Sequence, residues 1–172
     1  MTEVFHTSFS KGDYSGELNI KWDDAAFADG SISFEITATA RNAKDLGWGG
    51  GLSSSVSVEL NEQQEPILKL SLLNDESSTI TISLKPLLEH STVLERIPAP
   101  FFGGHPLVGC LIRSGLSAVI GQILECKGET AGTGWDWSRM SAIGRCIRDH
   151  IPDLAARAAF RSVRCIARFG FG

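Results

Sequence analysis

The 172-residue sequence lacks the motifs that mark most enzymes and cofactor-binding proteins. Its four histidines are scattered and form neither H-x-x-x-H nor H-E-x-x-H, so no metal site is predicted. The glycine-rich run 47–51 is followed by a strand-like segment, whereas a phosphate-binding loop needs Gly-Lys-Ser/Thr and a helix. No stretch matches a family pattern residue by residue. The sequence therefore predicts neither a metal nor a cofactor.

Cysteine is absent from the first half of the chain, and no C-x-x-C pair occurs in the second half. The wide spacing argues against a zinc knuckle and against a thioredoxin-type redox pair. The sequence does not open on a basic segment followed by an apolar one, as a secretory signal would. We therefore expect free buried thiols and a cytoplasmic location. The cysteines are Cys110, Cys126, Cys146 and Cys165.

The chain has no overall basic excess, because its net charge is −4. That total conceals a division: residues 1–104 carry seven Lys/Arg and fifteen Asp/Glu, whereas residues 105–172 carry nine and five. The first part is thus −8 and the second +4. Such a division allows the two parts to neutralise each other or to face different partners. Nucleic acid is the least favoured partner, because the sequence pI is 5.5.

The first half alternates apolar and polar residues, as half-buried strands do. Three segments, 56–60, 68–72 and 80–84, are joined by loops of about five residues, which are too short for a parallel crossover. They predict an antiparallel meander. Earlier segments raise the expected number to five or six strands in one antiparallel sheet or a β-sandwich. The earlier segments are 4–9, 18–22 and 32–38.

Beyond residue 85 the pattern changes. Four prolines lie within 86–106, which predicts a proline-containing connector. The helical period that follows predicts a bundle of about three helices at 107–126, 138–150 and 153–169. We therefore predict an α+β fold with a β domain over 1–85, the connector, and a helical region over 107–172, packed on the sheet.

The first of these helices is nearly long and apolar enough to cross a bilayer. Arg113 lies near its middle, where a charge costs about 2.5–3.5 kcal/mol on insertion scales. We therefore expect it to pack against the sheet or a partner, with Gly109, Gly115 and Gly121 allowing close approach.

The last helix carries a row of arginines. At about 100° per residue, their spacing places all four within about 60° of one another. Arginine suits bidentate contact with carboxylate or phosphate groups. The row consists of Arg157, Arg161, Arg164 and Arg168. The residues expected on the opposite, apolar side are Ala155, Ala159, Val163 and Ile166.

Tryptophans provide the other candidate contact residues. Trp48 lies in the glycine run, which we expect to be a flexible loop that exposes this side chain as an interface anchor. Trp135 and Trp137 flank Asp136 just before the second helix, where either packing or a binding pocket would use them.

A thiol enzyme is the strongest catalytic hypothesis. Cys110 lies one turn inside the first helix, where its pKa would be lowered, and His105 just before that helix could accept its proton. No orienting Asn or Asp is identifiable, so this is the second alternative.

The sequence favours a non-enzymatic interaction module, an adaptor or assembly component that binds a protein partner or its own copies. The binding residues would be the arginine row and the Gly/Trp loops. The first alternative is a membrane-surface or pore-associated protein that uses its C-terminal amphipathic helices on anionic lipid. In a third arrangement the arginine row pairs with the acidic part of the same or a neighbouring chain.

Overall fold

The structure is a computed structural model that describes residues 1–73, 75–85, 89–129 and 137–169. The first half contains strands β1 Thr2–Lys11, β2 Tyr14–Trp22, β3 Ile32–Asn42, β4 Gly49–Leu60, β5 Pro66–Leu72 and β6 Asp75–Ser83. The helices are α1 Asp24–Ala28, α2 His90–Glu95, α3 Pro106–Glu129, α4 Trp137–Asp149 and α5 Ile151–Arg168, and a 3₁₀ turn spans Ala99–Phe102.

The strands form one sheet in the order β1-β2-β3-β4-β5-β6, and every neighbouring pair is antiparallel. This sheet, followed by the C-terminal helices α3, α4 and α5, confirms the predicted α+β fold. Of the two arrangements expected from the sequence, a single sheet or a sandwich, the described residues form the single sheet. The helices form a second layer on one face of this sheet, as expected for an α+β domain.

One face of the sheet forms the floor of the hydrophobic core. Residues of β2 and β3 that were predicted to alternate do so, since Leu18, Ile20, Phe34 and Ile36 are fully buried. Intervening residues such as Glu35 face outward and are partly accessible. The two-residue period of a strand therefore separates the core face from the polar face.

α3 is the central helix of the core, and it packs on β2, β3 and β4. A Cβ at Gly115 would lie 2.8 Å from Ile36 Cγ2, and one at Gly109 would lie 3.0 Å from the carbonyl oxygen of Phe102. These glycines thus provide the close approach that the sequence predicted.

The segment Pro106–Gly128 is long and apolar enough to cross a membrane, but 72% of its most apolar window is buried inside the protein.

The described part of the connector, from residue 89 onward, folds onto the core. Val93 of α2 is buried, and the 3₁₀ turn before α3 buries Phe101 and Phe102. At the other end of α3, the ammonium of Lys127 donates to the carbonyl oxygen of Leu84 at 2.6 Å, and burial lowers its pKa. This contact ties the last turns of α3 to the chain just beyond β6.

The expectation of a loop is wrong for most of the glycine run, because only Gly47 and Trp48 lie in the turn before β4. Gly49, Gly50 and Gly51 begin β4 and pair with residues of β3. A Cβ on Gly49 would lie 2.3 Å from the carbonyl oxygen of Ala40, and Gly49 has a φ of +124°. Glycine is required there because the two backbones approach too closely for a side chain.

The expectation of free thiols is also wrong. Cys110 is bonded to Cys165, and Cys126 to Cys146, with Cα–Cα distances of 5.8 and 5.7 Å. The first bond links α3 to α5 and the second links α3 to α4. The helices bring together cysteines that are 55 and 20 residues apart in the sequence, a pairing that spacing alone does not show. Disulfides persist mainly in oxidising compartments, so one ground for the cytoplasmic prediction is lost, and that location stays a prediction.

Candidate functional site

The face of α5 that packs on the protein differs from the one expected. Its buried residues follow a line of mostly small side chains: Leu154, Ala158, Ser162 and Cys165. At about 100° per residue this line lies roughly 85° from the arginine row, not on the opposite side of the helix. Small side chains and the disulfide at Cys165 allow α5 to pack closely on α3 along this line. Hydrophobicity alone favoured the face that carries Val163 and Ile166.

Because this other face of α5 is buried, apolar side chains remain on its outer surface. Val163, which was expected to face the core, is 60% exposed, and Phe160 is 62% exposed. Both lie on the solvent side of the helix, where Phe160 is next to the arginine row and Val163 lies on the far side of Phe160. The guanidinium carbon of Arg164 lies 4.5 Å from the centre of the Phe160 ring, in a cation–π contact. The outer surface of α5 therefore combines an apolar strip with positive charge.

The arginines of the row have different surroundings. Arg157 is half-buried and forms an ion pair with Glu125 of α3. Arg161, Arg164 and Arg168 are exposed, and none of them forms an ion pair with a described residue. We call Phe160, Val163 and these three exposed arginines the α5 face. Arg157 has a structural contact of its own and lies outside this surface.

A pocket of about 410 Å³ lies where α3 begins and α5 ends. Arg113 and Arg168 reach it from the two helices, and His105 and Cys110 also line it. The guanidinium carbon of Arg113 lies 4.4 Å from the centre of the Phe102 ring. We call this the α3–α5 pocket; its remaining lining residues are Gly103, Gly104, Pro106, Gly109 and Phe169.

His105 connects this pocket to the sheet. Its ring lies edge-on to Trp48, with centroids 4.3 Å apart, and Trp48 in turn meets Tyr14 at 5.1 Å. Burial lowers the pKa of His105, so the imidazole is mainly neutral near pH 7. Its Nδ1 atom is buried without a hydrogen-bond partner in the described structure. Neutral His105 therefore lines the pocket without adding charge to it.

The structure describes only one of the three tryptophan side chains that were predicted to bind a partner. Trp48 is half-buried between Tyr14 and His105, so it is not the exposed anchor that the sequence suggested. Trp137 begins α4, but its side chain lies outside the described structure, as does the whole of Trp135. Binding roles for these three residues stay predictions.

The two residues of the thiol-enzyme alternative, His105 and Cys110, both line the α3–α5 pocket. Cys110, however, is bonded to Cys165, so the free thiol that this chemistry needs is absent from this structure. Within the described part of the chain, no three His, Cys, Asp or Glu side chains gather in a way that could hold a metal ion.

Sequence reasoning missed Phe160 and Val163 as surface residues and did not associate Arg113 with the arginine row. Helical spacing contained part of the signal, because Phe160 is four residues before Arg164 and must lie beside it. The proximity of Arg113 to Arg168 is a tertiary feature that no local pattern contains.

Comparison of the chain with family models, with curated proteins and with solved structures gives no match.

Proposed function

We propose that this protein is an interaction module that binds an acidic protein surface through the α5 face. Three arginines of this face have no acidic partner among the described residues. They lie beside two large apolar side chains that are at least 60% exposed, and this arrangement supports the proposal. Arginine and aromatic residues supply much of the binding energy in protein interfaces. The matching partner has carboxylates around an apolar side chain.

The packing of the helices supports a protein partner over a lipid surface. An interfacial helix buries a broad apolar face and has its basic residues along the polar side. On α5 the exposed apolar strip is narrow, because one side of the helix is already buried against α3. The most apolar helix, α3, is largely buried as well. A compact apolar patch with arginines along one edge therefore suits a pocket on a protein partner better than it suits a lipid surface.

The proposal is tested with synthetic peptides in which aspartates and glutamates flank a central phenylalanine and leucine. We expect the protein to bind this peptide and to bind a version with serine at the two apolar positions more weakly. Binding should weaken as salt rises from about 50 mM to about 500 mM, because salt screens exposed charges. The combined change Arg161→Gln and Arg164→Gln, and separately Phe160→Ala, should each reduce affinity about tenfold or more.

Arg41→Gln is the matched control, because Arg41 is an exposed arginine on β3 and not on α5. It should leave peptide affinity unchanged. Equal losses in Arg41→Gln and the α5 variants would show that net charge alone drives binding and would refute the proposal. Co-sedimentation with anionic vesicles that is lost in the Arg161/Arg164 variant, without peptide binding, would support the membrane alternative instead.

A further inference from the structure

The α3–α5 pocket brings together two guanidinium groups from helices that are far apart in the sequence. Arg113 and Arg168 both line it and both are exposed. Neither is ion-paired with another residue in the described ranges. Two cations that line the same pocket create a positive potential that attracts an anion.

The disulfide between α3 and α5 fixes the two helices to each other close to these arginines, and an aromatic contact holds Arg113. Each lies three residues after a cysteine of the same disulfide, Arg113 after Cys110 and Arg168 after Cys165. Arg113 is further held against the Phe102 ring. A site whose charged groups are positioned in advance loses less conformational entropy when a ligand binds.

The shape of the pocket leaves room for more than a bare ion. A Cβ on Gly104 would meet no atom within 4 Å, and one on Gly103 would meet only Leu52, at 3.8 Å. The volume of about 410 Å³ falls in the range of small-molecule sites, about 300–1,000 Å³. Phe102, Pro106 and Phe169 add apolar walls. The pocket therefore suits an anionic group that is attached to an organic body.

We propose that the α3–α5 pocket binds the phosphate group of an organic phosphate ester between Arg113 and Arg168. A carboxylate presents two oxygens and is satisfied by one guanidinium fork, whereas a phosphate presents enough oxygens for two forks. The organic part lies along Phe102, Pro106 and Phe169. The ester can come from a soluble metabolite or from a phospholipid headgroup, since both present the same chemistry. This site shares Arg168 with the α5 face, but Arg113 belongs to the pocket alone, and Arg161 and Arg164 belong to the α5 face alone.

The test uses phenyl phosphate as the probe and phenol as its uncharged counterpart, in an NMR titration of the intact, disulfide-bonded protein. We expect saturable binding of phenyl phosphate, with the largest amide shifts at Gly103, Gly104 and His105, and much weaker binding of phenol. Arg113→Gln and Arg168→Gln should each weaken binding about tenfold or more. Arg113→Lys, which keeps the charge but loses the planar fork, should have an intermediate effect.

Arg161→Gln is the control, because this exposed arginine of α5 does not line the pocket. It should leave phenyl phosphate binding unchanged. Arg113→Gln should in turn keep its affinity for the acidic peptide, so failure of the pocket and failure of the α5 face give different results. Absence of saturable phenyl phosphate binding by the unaltered protein, or binding that Arg113→Gln does not weaken, would overturn the proposal.

Vesicles separate the two sources of the phosphate group. Vesicles of phosphatidylcholine that contain phosphatidic acid should pellet the protein in an Arg113-dependent way if the pocket takes a lipid headgroup. Pure phosphatidylcholine vesicles are the control. Phenyl phosphate binding without any vesicle binding would assign the pocket to a soluble ester.

Discussion

At the scale of single residues, Gly115 determines how closely α3 approaches the sheet. Its missing side chain leaves a gap that Ile36 fills, and Ile36 is a β-branched residue held in the middle of β3. Since Ile36 cannot move aside easily, even one added methyl group overpacks the core.

Gly115→Ala is therefore expected to lower the free energy of unfolding by about 1–2 kcal/mol, because overpacking outweighs the gain in helix propensity. Gly128→Ala is the matched control in the same helix, since its Cβ would meet no atom within 4 Å. That change should leave stability unaltered or raise it by up to about 1 kcal/mol. Urea denaturation measures both variants, and equal stability of the two would contradict the close packing of α3 on β3.

His105 makes stability depend on pH. Burial lowers the pKa of His105 in the folded protein below the value of about 6.5 that it has when unfolded. The unfolded chain therefore binds a proton first on acidification. The stability associated with neutral His105 is present above about pH 6.5 and is lost as the pH falls toward the folded pKa.

The measurement compares urea denaturation of the unaltered protein and of His105→Gln at about pH 7.5 and about pH 5.5. The unaltered protein should lose more unfolding free energy between these two pH values than the variant does. An equal loss in both proteins would show that His105 does not contribute to the pH dependence.

At the scale of whole elements, periodicity predicted the strands and the three C-terminal helices but not the short helices α1 and α2. β2 and β3 alternate as expected because each strand has one face on the core and one in solvent. The three C-terminal helices lie within about three residues of their predicted bounds. Their orientation was less predictable: the sequence placed Val163 of α5 on the core side, although Cys165 and Ala158 are the residues that pack there.

That error has a physical cause. A helical wheel shows only how hydrophobic each side of a helix is. On α5, two sides are hydrophobic enough to be buried. Which one is buried depends on how closely α5 can approach α3, and small residues and the Cys110–Cys165 bond favour the less hydrophobic one. The α3–α5 pocket could not be predicted for the same reason, since it exists only once these helices are paired.

The two disulfides should make separable contributions to stability. In the chain-entropy model, closing loops of 55 and 20 residues stabilises the fold by about 4 and about 3 kcal/mol, respectively. Replacing both Cys110 and Cys165 by serine should therefore cost more than replacing Cys126 and Cys146. Urea denaturation of the two double variants gives the comparison, and a larger loss in the Cys126/Cys146 variant would contradict it.

A thiol assay tests the bonds themselves. The unaltered protein, denatured without reductant, should show no reactive thiol, and four after reduction. Reactive thiols before reduction would restore Cys110 as a candidate nucleophile.

At the scale of the whole molecule, the sheet and the helices share one hydrophobic core. Leu18, Ile36 and Val56 on the sheet and Leu111 and Leu116 on α3 are all fully buried. Without the helices, the sheet would expose this entire face to water, and such a large apolar surface promotes aggregation. The acidic and the basic parts of the chain therefore contribute to the same core.

A fragment of residues 1–104 is therefore expected to aggregate or to remain unfolded when expressed alone. Circular dichroism and the dispersion of its amide NMR spectrum measure this directly, with the full chain as control. A soluble fragment with a cooperative unfolding transition would mean that the sheet is stable without α3.

We propose above that the α5 face recognises an acidic, partly apolar protein surface. Fluorescence anisotropy of the labelled acidic phenylalanine–leucine peptide tests it most directly, with the unaltered protein, the Arg161/Arg164 glutamine variant and Arg41→Gln compared at low and high salt. We predict salt-sensitive binding that the Arg161/Arg164 variant loses and Arg41→Gln retains. Binding that all three proteins share, or that does not respond to salt, would contradict the claim.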